Sequence, residues 1–151
     1  PESTGKTTLC ELLATHYHSI YCPEYAREYL LTHGKSYEYD DLLNIAKEQL
    51  QQEDEYTQKL QAVLENSPVA KNIHPYLFID TDMYVMKVWC EYVFQKCHQF
   101  ILDEIVNRQY DLYLLCNPDL PWVQDELREY PDEKPRQELY HIYRDIMMNQ
   151  R

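Results

Sequence analysis

The chain begins with P-E-S-T-G-K-T-T at residues 1–8, and Leu9, Leu12 and Leu13 follow at helical spacing. These residues match the phosphate-binding pattern G-x-x-x-x-G-K-S/T except for its first glycine, which would come directly before Pro1. In this pattern successive backbone N–H groups surround a phosphate at the start of a helix, where unsatisfied amides and the helix dipole attract an anion. The sequence therefore predicts a P-loop.

The residues of this loop have separate expected roles. Gly5 would allow close approach of the backbone, Lys6 would reach the β and γ phosphates, and the Thr7 hydroxyl would hold Mg²⁺. ATP and Mg²⁺ are therefore the expected cofactors. The alternative is an ordinary helix start with Ser3 or Thr4 as its N-cap. The predicted phosphate-binding residues are Pro1, Glu2, Ser3, Thr4, Gly5, Lys6, Thr7 and Thr8.

Length and composition limit the fold. The 151 residues have room for one domain with a sizeable core. The two glycines, Gly5 and Gly34, leave few positions for positive φ, which favours a helix-rich body. Because a P-loop normally follows a buried strand, we expect a fragment that lacks its first strand.

Charge and cysteine usage limit the partners. The net charge of -12 argues against a nucleic acid or an anionic membrane as partner. ATP could still bind, because the loop amides, Lys6 and the metal act locally. The five cysteines form no C-x-x-C pair and lie within apolar runs, which predicts free thiols in a reducing cytoplasm. No apolar stretch approaches the about 20 residues of a membrane span. We expect a cytoplasmic protein and leave homo-oligomerisation open.

A short strand and a second helix are predicted to follow the P-loop helix. Residues 19–22 have the pattern of a short strand, and the helix that begins at Pro23 places Glu24 just beyond the carboxyl end of that strand. Ligands of open α/β sheets bind at this edge, so Glu24 and Arg27 are candidate site residues. The alternative is that Glu24 only complements the helix dipole and Arg27 only pairs with Glu24.

Residues 39–65 have the pattern of one long amphipathic helix or two joined helices. Apolar residues recur at Leu42, Ile45, Ala46 and Leu50. We expect a solvated outer face at the polar run Gln49, Gln51, Gln52, Glu53 and Asp54.

The stretch Y-L-F-I-D-T-D at 76–82 is typical of a buried parallel strand that delivers a carboxylate to its carboxyl end. Asp80 would hold Mg²⁺ in the Walker B role, and Asp82 would orient the metal or substrate hydroxyls. The alternative for Asp82 is the N-cap of the next helix. Two helices, over about 83–97 and 99–108, are predicted to follow.

The C-terminal third has the pattern of a strand followed by a loop. Y-D-L-Y-L-L-C at 110–116 predicts another buried strand, and the charged, proline-marked residues 125–137 precede a final helix over 140–148. Such a loop beside a strand end is typical of a mobile lid, whose Arg128 and Arg136 would swing onto the transferring phosphoryl group. The alternative is surface pairing of these arginines with nearby glutamates.

Four separated motifs resemble the ribosylnicotinamide kinase domain of NadR-type NAD-biosynthesis proteins. They are P-E-S-T-G-K-T-T-L at 1–9, P-E-Y-A-R-E-Y at 23–29, F-I-D-T-D at 78–82, and Y-D-L-Y-L-L-C with N-P-D-L-P-W-V-Q-D-E-L-R between 110 and 128. They occur in the order expected of that family. The resemblance implies one P-loop kinase domain over residues 1–151, truncated at both ends. Its α/β fold would have three layers, a mainly parallel sheet flanked by helices, and a lid.

The resemblance also implies an activity, the transfer of the ATP γ-phosphate to the 5′-hydroxyl of nicotinamide riboside. Asp80 and Asp82 would belong to the metal and ribose side, and either Glu24 or Asp82 would be the general base. The fixed positive charge of the nicotinamide ring suits an acidic, aromatic pocket through stacking and cation–π attraction. Candidates for the aromatic faces are Tyr25, Tyr84, Trp89 and Trp122.

Two other functions remain open at this point. One is a kinase of another nucleoside or nucleotide, because the P-loop, the strand-end aspartate and the lid arginines are common to that group. The other is a regulatory protein that binds ATP without transferring a phosphoryl group. A panel of acceptors would distinguish the first alternative from a nicotinamide riboside kinase. The second alternative predicts tight ATP binding without acceptor-dependent release of ADP.

Overall fold

The computed structural model describes residues 2–66, 76–124, 127 and 132–149. Local sequence patterns predict most of its elements, because the spacing of apolar residues and the positions of turn residues indicate the same segments. In chain order the elements are α1 (Lys6–His16), β1 (Ile20–Cys22), α2 (Tyr25–His33), α3 (Tyr39–Asn66), β2 (Leu77–Ile79), α4 (Met83–Phe94), α5 (Gln99–Asn107) and α6 (Glu133–Asn149). The predicted helix-rich α/β class is confirmed.

The two strands form a parallel pair. Ile20 lies opposite Leu77, and Cys22 lies opposite Ile79. The ladder continues past β2, because the Asp80 N–H donates to the Cys22 carbonyl at 2.9 Å. Parallel strands need a long crossover, which α2 and α3 provide here. Both strands therefore end at the same edge of the sheet, where the residues that follow them meet.

The main core lies between α3 and the helices α2, α4 and α5. The long polar and apolar pattern at 39–65 forms one helix of 28 residues. The core consists of Ala26, Leu42, Ile45, Ala46, Leu50, Met83, Met86, Cys90 and Ile101. All five cysteines of the chain are free, as predicted.

The prediction of a solvated face on α3 is wrong at two of its five residues. Gln49 is only 1% exposed and Glu53 only 2% exposed. The physical reason is helical geometry, because these positions continue the buried stripe of Leu42, Ile45 and Ala46 at intervals of three or four residues. Two polar side chains therefore enter the interior, where they need polar partners.

The prediction of a buried strand at 110–116 is also wrong. Residues 112–117 have no regular secondary structure, and the side chains of Leu112 and Leu114 are 73% and 57% exposed. A strand needs a hydrogen-bonded neighbour. In the part of the chain that the structure describes, β1 and β2 pair only with each other. The expected strand before Pro1, the three layers and the lid stay predictions.

Two helix starts differ from the predicted ones. Pro23 lies before Glu24, which is the N-cap of α2, so Pro23 is outside the helix. The final helix begins at Glu133, and Arg136 therefore lies on α6 rather than in a loop. Pro135 suggested a loop, but proline is tolerated in the first turn of a helix, where its missing N–H has no intrahelical partner. Among the helices described, none combines the length and apolar character that crossing a bilayer requires.

Candidate active site

The P-loop residues form a tight turn at the start of α1. Gly5 is the N-cap, with φ of 75°, and its carbonyl accepts from Leu9 N–H at 2.8 Å. The alternative N-caps Ser3 and Thr4 are not used. A Cβ atom at Gly5 would lie 3.2 Å from Cδ1 of Leu120. Both the backbone angle and the close neighbour therefore favour glycine at this position.

Residues 121–123 form hydrogen bonds with the P-loop. The Ser3 hydroxyl donates to the Pro121 carbonyl at 3.2 Å and accepts from the Val123 N–H at 3.1 Å. These contacts join residues about 120 positions apart in the chain. The loop is therefore held by tertiary contacts as well as by its own turn.

The two predicted metal ligands lie in direct contact. The Thr7 hydroxyl at the start of α1 donates to Asp80 Oδ2 at 2.5 Å. Asp80 is 1% exposed, and its Oδ1 has no hydrogen-bond partner among the residues described. A threonine hydroxyl and a carboxylate with one unpaired oxygen are the oxygen ligands that Mg²⁺ prefers. The donor set present therefore fits this ion.

Glu24 and Thr81 meet across the carboxyl edge of the sheet. Thr81 has a φ of 81°, which is rare for a β-branched residue, and its hydroxyl donates to Glu24 Oε1 at 3.2 Å. Burial raises the pKa of Glu24, the nearby Asp80 raises it further, and Lys6 opposes the shift. The structure thus brings Glu24, Lys6 and Asp80 into one electrostatic neighbourhood.

Asp82 is the N-cap of α4. Its Oδ1 accepts from the Val85 N–H at 3.1 Å. The structural alternative that the sequence left open for Asp82 is therefore confirmed, while its role toward a substrate stays a prediction. Burial raises the pKa of Asp82 to about 6, although hydrogen bonds from the backbone oppose this rise.

Two glutamines of α3 position the turn that carries Glu24. Gln49 Oε1 accepts from the Tyr25 N–H at 2.8 Å, and Gln52 Nε2 donates to the Pro23 carbonyl at 2.7 Å. These bonds hold the backbone on both sides of Glu24. Sequence reasoning missed both roles, although the spacing of Gln49 from Leu42 and Ile45 places it on the buried stripe.

One cleft of about 1640 Å³ contains most of the predicted site residues. Pockets for one small molecule usually measure roughly 300–1,000 Å³, so this cleft has room for a nucleotide and an acceptor together. Its walls also include acidic and aromatic side chains that the sequence did not single out, namely Glu53, Tyr110 and Tyr113. The predicted residues on its walls are Glu2, Ser3, Thr4, Gly5, Lys6, Thr7, Thr8, Glu24, Arg27, Asp80, Asp82, Tyr84 and Trp89.

Three predicted aromatic or basic residues lie away from the walls of this cleft. Tyr25 packs against the main core, and Trp122 has a buried indole N–H without a partner among the described residues. Arg136 is 6% exposed, and its Nε and Nη1 likewise have no partner in the described part of the chain. Trp89 does line the cleft, but its indole N–H also donates to the Tyr37 hydroxyl at 2.9 Å. Arg128 and Pro1 lie outside the described residues.

A P-loop whose threonine contacts the aspartate at the end of a parallel strand defines the class of P-loop proteins, in which the loop binds nucleotide phosphates. A family model described as an AAA domain matches residues 1–150, and the chain belongs to this family.

Two curated relatives extend this assignment. The chain is 28% identical over 145 residues to the "Trifunctional NAD biosynthesis/regulator protein NadR" of Escherichia coli strain K12. It is 27% identical over 145 residues to the protein of the same name from Salmonella typhimurium strain LT2. Each alignment covers 93% of this chain but only 32% of the relative, so the chain spans about a third of their length. The resemblance to NadR-type proteins that the four motifs indicated is confirmed.

Proposed function

We propose that this domain is a kinase that transfers the γ-phosphate of ATP to the 5′-hydroxyl of nicotinamide riboside and forms nicotinamide mononucleotide. The observation that carries the proposal is the contact between the Thr7 hydroxyl and Asp80, at the site where a metal–nucleotide complex would bind. The names of the relatives refer to NAD biosynthesis, which supports an acceptor of this chemistry. We further propose that the domain acts on this small molecule in the cytoplasm.

The phosphate end of the cleft would hold ATP through the amides of residues 2–8 and through Lys6. Thr7 and Asp80 would hold Mg²⁺, which when bound neutralises the charge on the phosphates. Gly5, which has no Cβ, would let the backbone approach the phosphates closely. A Cβ at this position would also lie 3.2 Å from Cδ1 of Leu120. The protein then contributes mainly positioning and electrostatic stabilisation.

Glu24 is the proposed general base. Its carboxyl group lies within the electrostatic reach of Lys6 and Asp80, and burial raises its pKa, which makes its ionised form a stronger proton acceptor than an ordinary glutamate. It would take the proton of the 5′-hydroxyl while the oxygen bonds to the γ-phosphorus and ADP leaves. Asp82 already accepts a backbone hydrogen bond at the start of α4, so we assign it to orienting the ribose.

The lid is part of the proposal. Arg136 is buried on α6 and does not line the cleft, so it would reach a phosphoryl group only if the first turn of α6 moved. Two of its guanidinium nitrogens have no partner among the described residues, and an anion would satisfy them. Arg128 has the same proposed role.

The test is ADP release by the protein with ATP and Mg²⁺, measured with nicotinamide riboside, thymidine, uridine or no acceptor, and with the mass of each product. Release that requires nicotinamide riboside and yields its monophosphate supports the proposal. Release of ADP that requires a different nucleoside would support the kinase assignment but replace nicotinamide riboside as the acceptor. Glu24→Gln should lower kcat and abolish the rise of kcat with pH that the ionisation of a general base produces. Glu28→Gln, on the exposed face of α2, should change neither kcat nor its pH dependence.

One alternative has support in the printed names of the relatives, which include the word regulator. A nucleotide-sensing domain would bind ATP and release no ADP in response to any acceptor. That result in the same assay would replace the kinase proposal.

A further inference from the structure

We propose that Glu53 is a specificity residue of the acceptor site and that its Oε1 accepts a hydrogen bond from the carboxamide NH₂ of a nicotinamide nucleoside. This inference rests on the proposed kinase function and deepens it, because it says how the base of the acceptor is recognised. It also predicts which related nucleosides are rejected.

The first observation is a buried carboxylate oxygen without a partner. Glu53 lies on α3, is 2% exposed and lines the cleft. Its Oε2 accepts from the Tyr110 hydroxyl at 2.8 Å. Its Oε1 is also buried and has no hydrogen-bond partner in the described part of the chain. Such an oxygen is costly unless a donor satisfies it, and a ligand in the cleft is the available source.

The second observation is an excess of negative charge around this oxygen. Arg108 Nη1 lies 3.8 Å from Glu53 Oε2, but Arg108 also donates to both oxygens of Asp54, at 2.8 and 3.0 Å, and to Glu104 at 3.2 Å. One guanidinium is thus shared among three carboxylates. Asp82 adds a further negative charge from α4. A ligand with a positive charge would therefore be attracted to this end of the cleft.

The pKa of Glu53 agrees with this charge balance. Burial raises this pKa most, Asp82 and Asp54 also raise it, Tyr110 and Arg108 lower it, and the net result is a pKa of about 7. A cation bound beside Glu53 would lower this pKa. Binding of such a cation should therefore become tighter as the pH rises from 6 to 8.

The positions of the charged groups assign the base of the nucleoside to this end. The charges of Lys6 and Asp80 shift the pKa of Glu24, and the charge of Asp82 shifts the pKa of Glu53. Glu24, Asp82 and Glu53 all line the cleft that also contains the phosphate loop. With the 5′-hydroxyl at Glu24 and the ribose at Asp82, the base of a nucleoside would reach Glu53.

Tyrosine rings complete this end of the cleft. The rings of Tyr110 and Tyr113 are 5.5 Å apart at 82°, and those of Tyr84 and Tyr113 are 5.8 Å apart at 70°. All three residues line the cleft. Aromatic faces beside acidic groups suit a flat ring with a fixed positive charge.

The amide is the feature that Glu53 distinguishes. A carboxamide offers two N–H donors to an acceptor-only carboxylate, whereas the carboxylate of nicotinic acid riboside offers none and carries a repelling charge. A 3-acetylpyridine riboside keeps the cationic ring and the carbonyl group but lacks the NH₂ group. We expect the enzyme to prefer nicotinamide riboside over both analogues by about 10- to 100-fold in kcat/KM.

The experiment measures kcat/KM for the three ribosides with the wild-type protein, Glu53→Gln and Glu55→Gln. Glu55 lies on the exposed face of the same helix and gives the same change of charge. Glu53→Gln should lower kcat/KM for nicotinamide riboside at least about tenfold, mainly through KM. It should also reduce the difference in kcat/KM between nicotinamide riboside and nicotinic acid riboside, because the glutamine NH₂ can donate to a carboxylate. Glu55→Gln should leave all three values unchanged.

Two outcomes would overturn the inference while leaving the kinase proposal intact. One is a wild-type protein that uses 3-acetylpyridine riboside as well as nicotinamide riboside, a comparison that needs no variant. Another is a Glu53→Gln variant that loses the same factor for all three ribosides. If the wild-type protein phosphorylates none of the ribosides but phosphorylates another nucleoside or releases no ADP, the proposed acceptor itself fails, and this inference fails with it.

Discussion

Replacing Glu53 by glutamine also tests the burial of this side chain through folding stability alone, without any substrate. The glutamine keeps the shape of the side chain and can still accept from the Tyr110 hydroxyl, but it cannot ionise. The expected signature is a change in how the free energy of unfolding depends on pH.

The sign follows from the direction of the pKa shift. Burial raises the pKa of Glu53 from its ordinary value of 4.5 to about 7 in the folded protein, so the folded state holds this proton more tightly than the unfolded state. The contribution of Glu53 to stability is therefore fully present below about pH 4.5 and is lost as the pH rises through about 7. At about 1.4 kcal/mol for each tenfold change in proton affinity, the complete loss is roughly 3 kcal/mol.

The assay is urea unfolding of the wild-type protein, Glu53→Gln and Glu55→Gln at pH 5, 6, 7 and 8. Stability of Glu53→Gln relative to wild type should increase by roughly 2–3 kcal/mol between pH 5 and pH 8. Asp82, whose pKa is also raised, titrates in both proteins, and its repulsion of the Glu53 carboxylate is part of the expected difference. Glu55→Gln should follow the wild type, since Glu55 is exposed.

A constant difference between Glu53→Gln and wild type over this pH range would refute the reasoning. A change smaller than about 0.5 kcal/mol lies within the usual scatter of such comparisons and would count as constant. The carboxyl group of Glu53 would then be hydrated in the folded protein, and its Oε1 would need no donor from a ligand.

Further predictions concern the phosphate end of the cleft. Lys6→Ala and Asp80→Asn should each lower kcat for ADP release about 100-fold or more while the urea midpoint stays near that of wild type; retained kcat in either variant would contradict its assigned role. Thr7→Val should raise the Mg²⁺ concentration for half-maximal rate about tenfold or more, whereas Thr7→Ser should not; equal effects would remove the hydroxyl from the metal site. Gly5→Ala should weaken ATP binding measured by calorimetry and cost at least about 1 kcal/mol of stability, because of its φ of 75° and the contact with Leu120; unchanged values would mean that the loop adapts.

Local patterns were enough to locate the phosphate end of the site. The P-loop and the aspartate that ends β2 are each encoded in fewer than about ten consecutive residues, and their chemistry requires fixed spacing along the chain. The meeting of Thr7 with Asp80 then follows from a general property of parallel sheets, whose strands end at the same edge.

Contacts between distant residues decided what the sequence left open or predicted wrongly. Residues 110–116 have the composition of a buried strand, but strand formation depends on a neighbour that no local pattern encodes. Pro135 was interpreted as a sign of a loop, yet it occupies the first turn of α6, where proline fits.

The polar stripe of α3 is the clearest case. By itself the sequence determined a helix with an apolar face, because the spacing of Leu42 and Ile45 is a local property. The same spacing places Gln49 and Glu53 on this face, but only the tertiary structure decided which groups satisfy them, because their partners Tyr25 and Tyr110 lie 24 and 57 residues away. A polar side chain enters the interior only where another element supplies its hydrogen bond. That condition is met in three dimensions and is not visible in the order of residues along the helix.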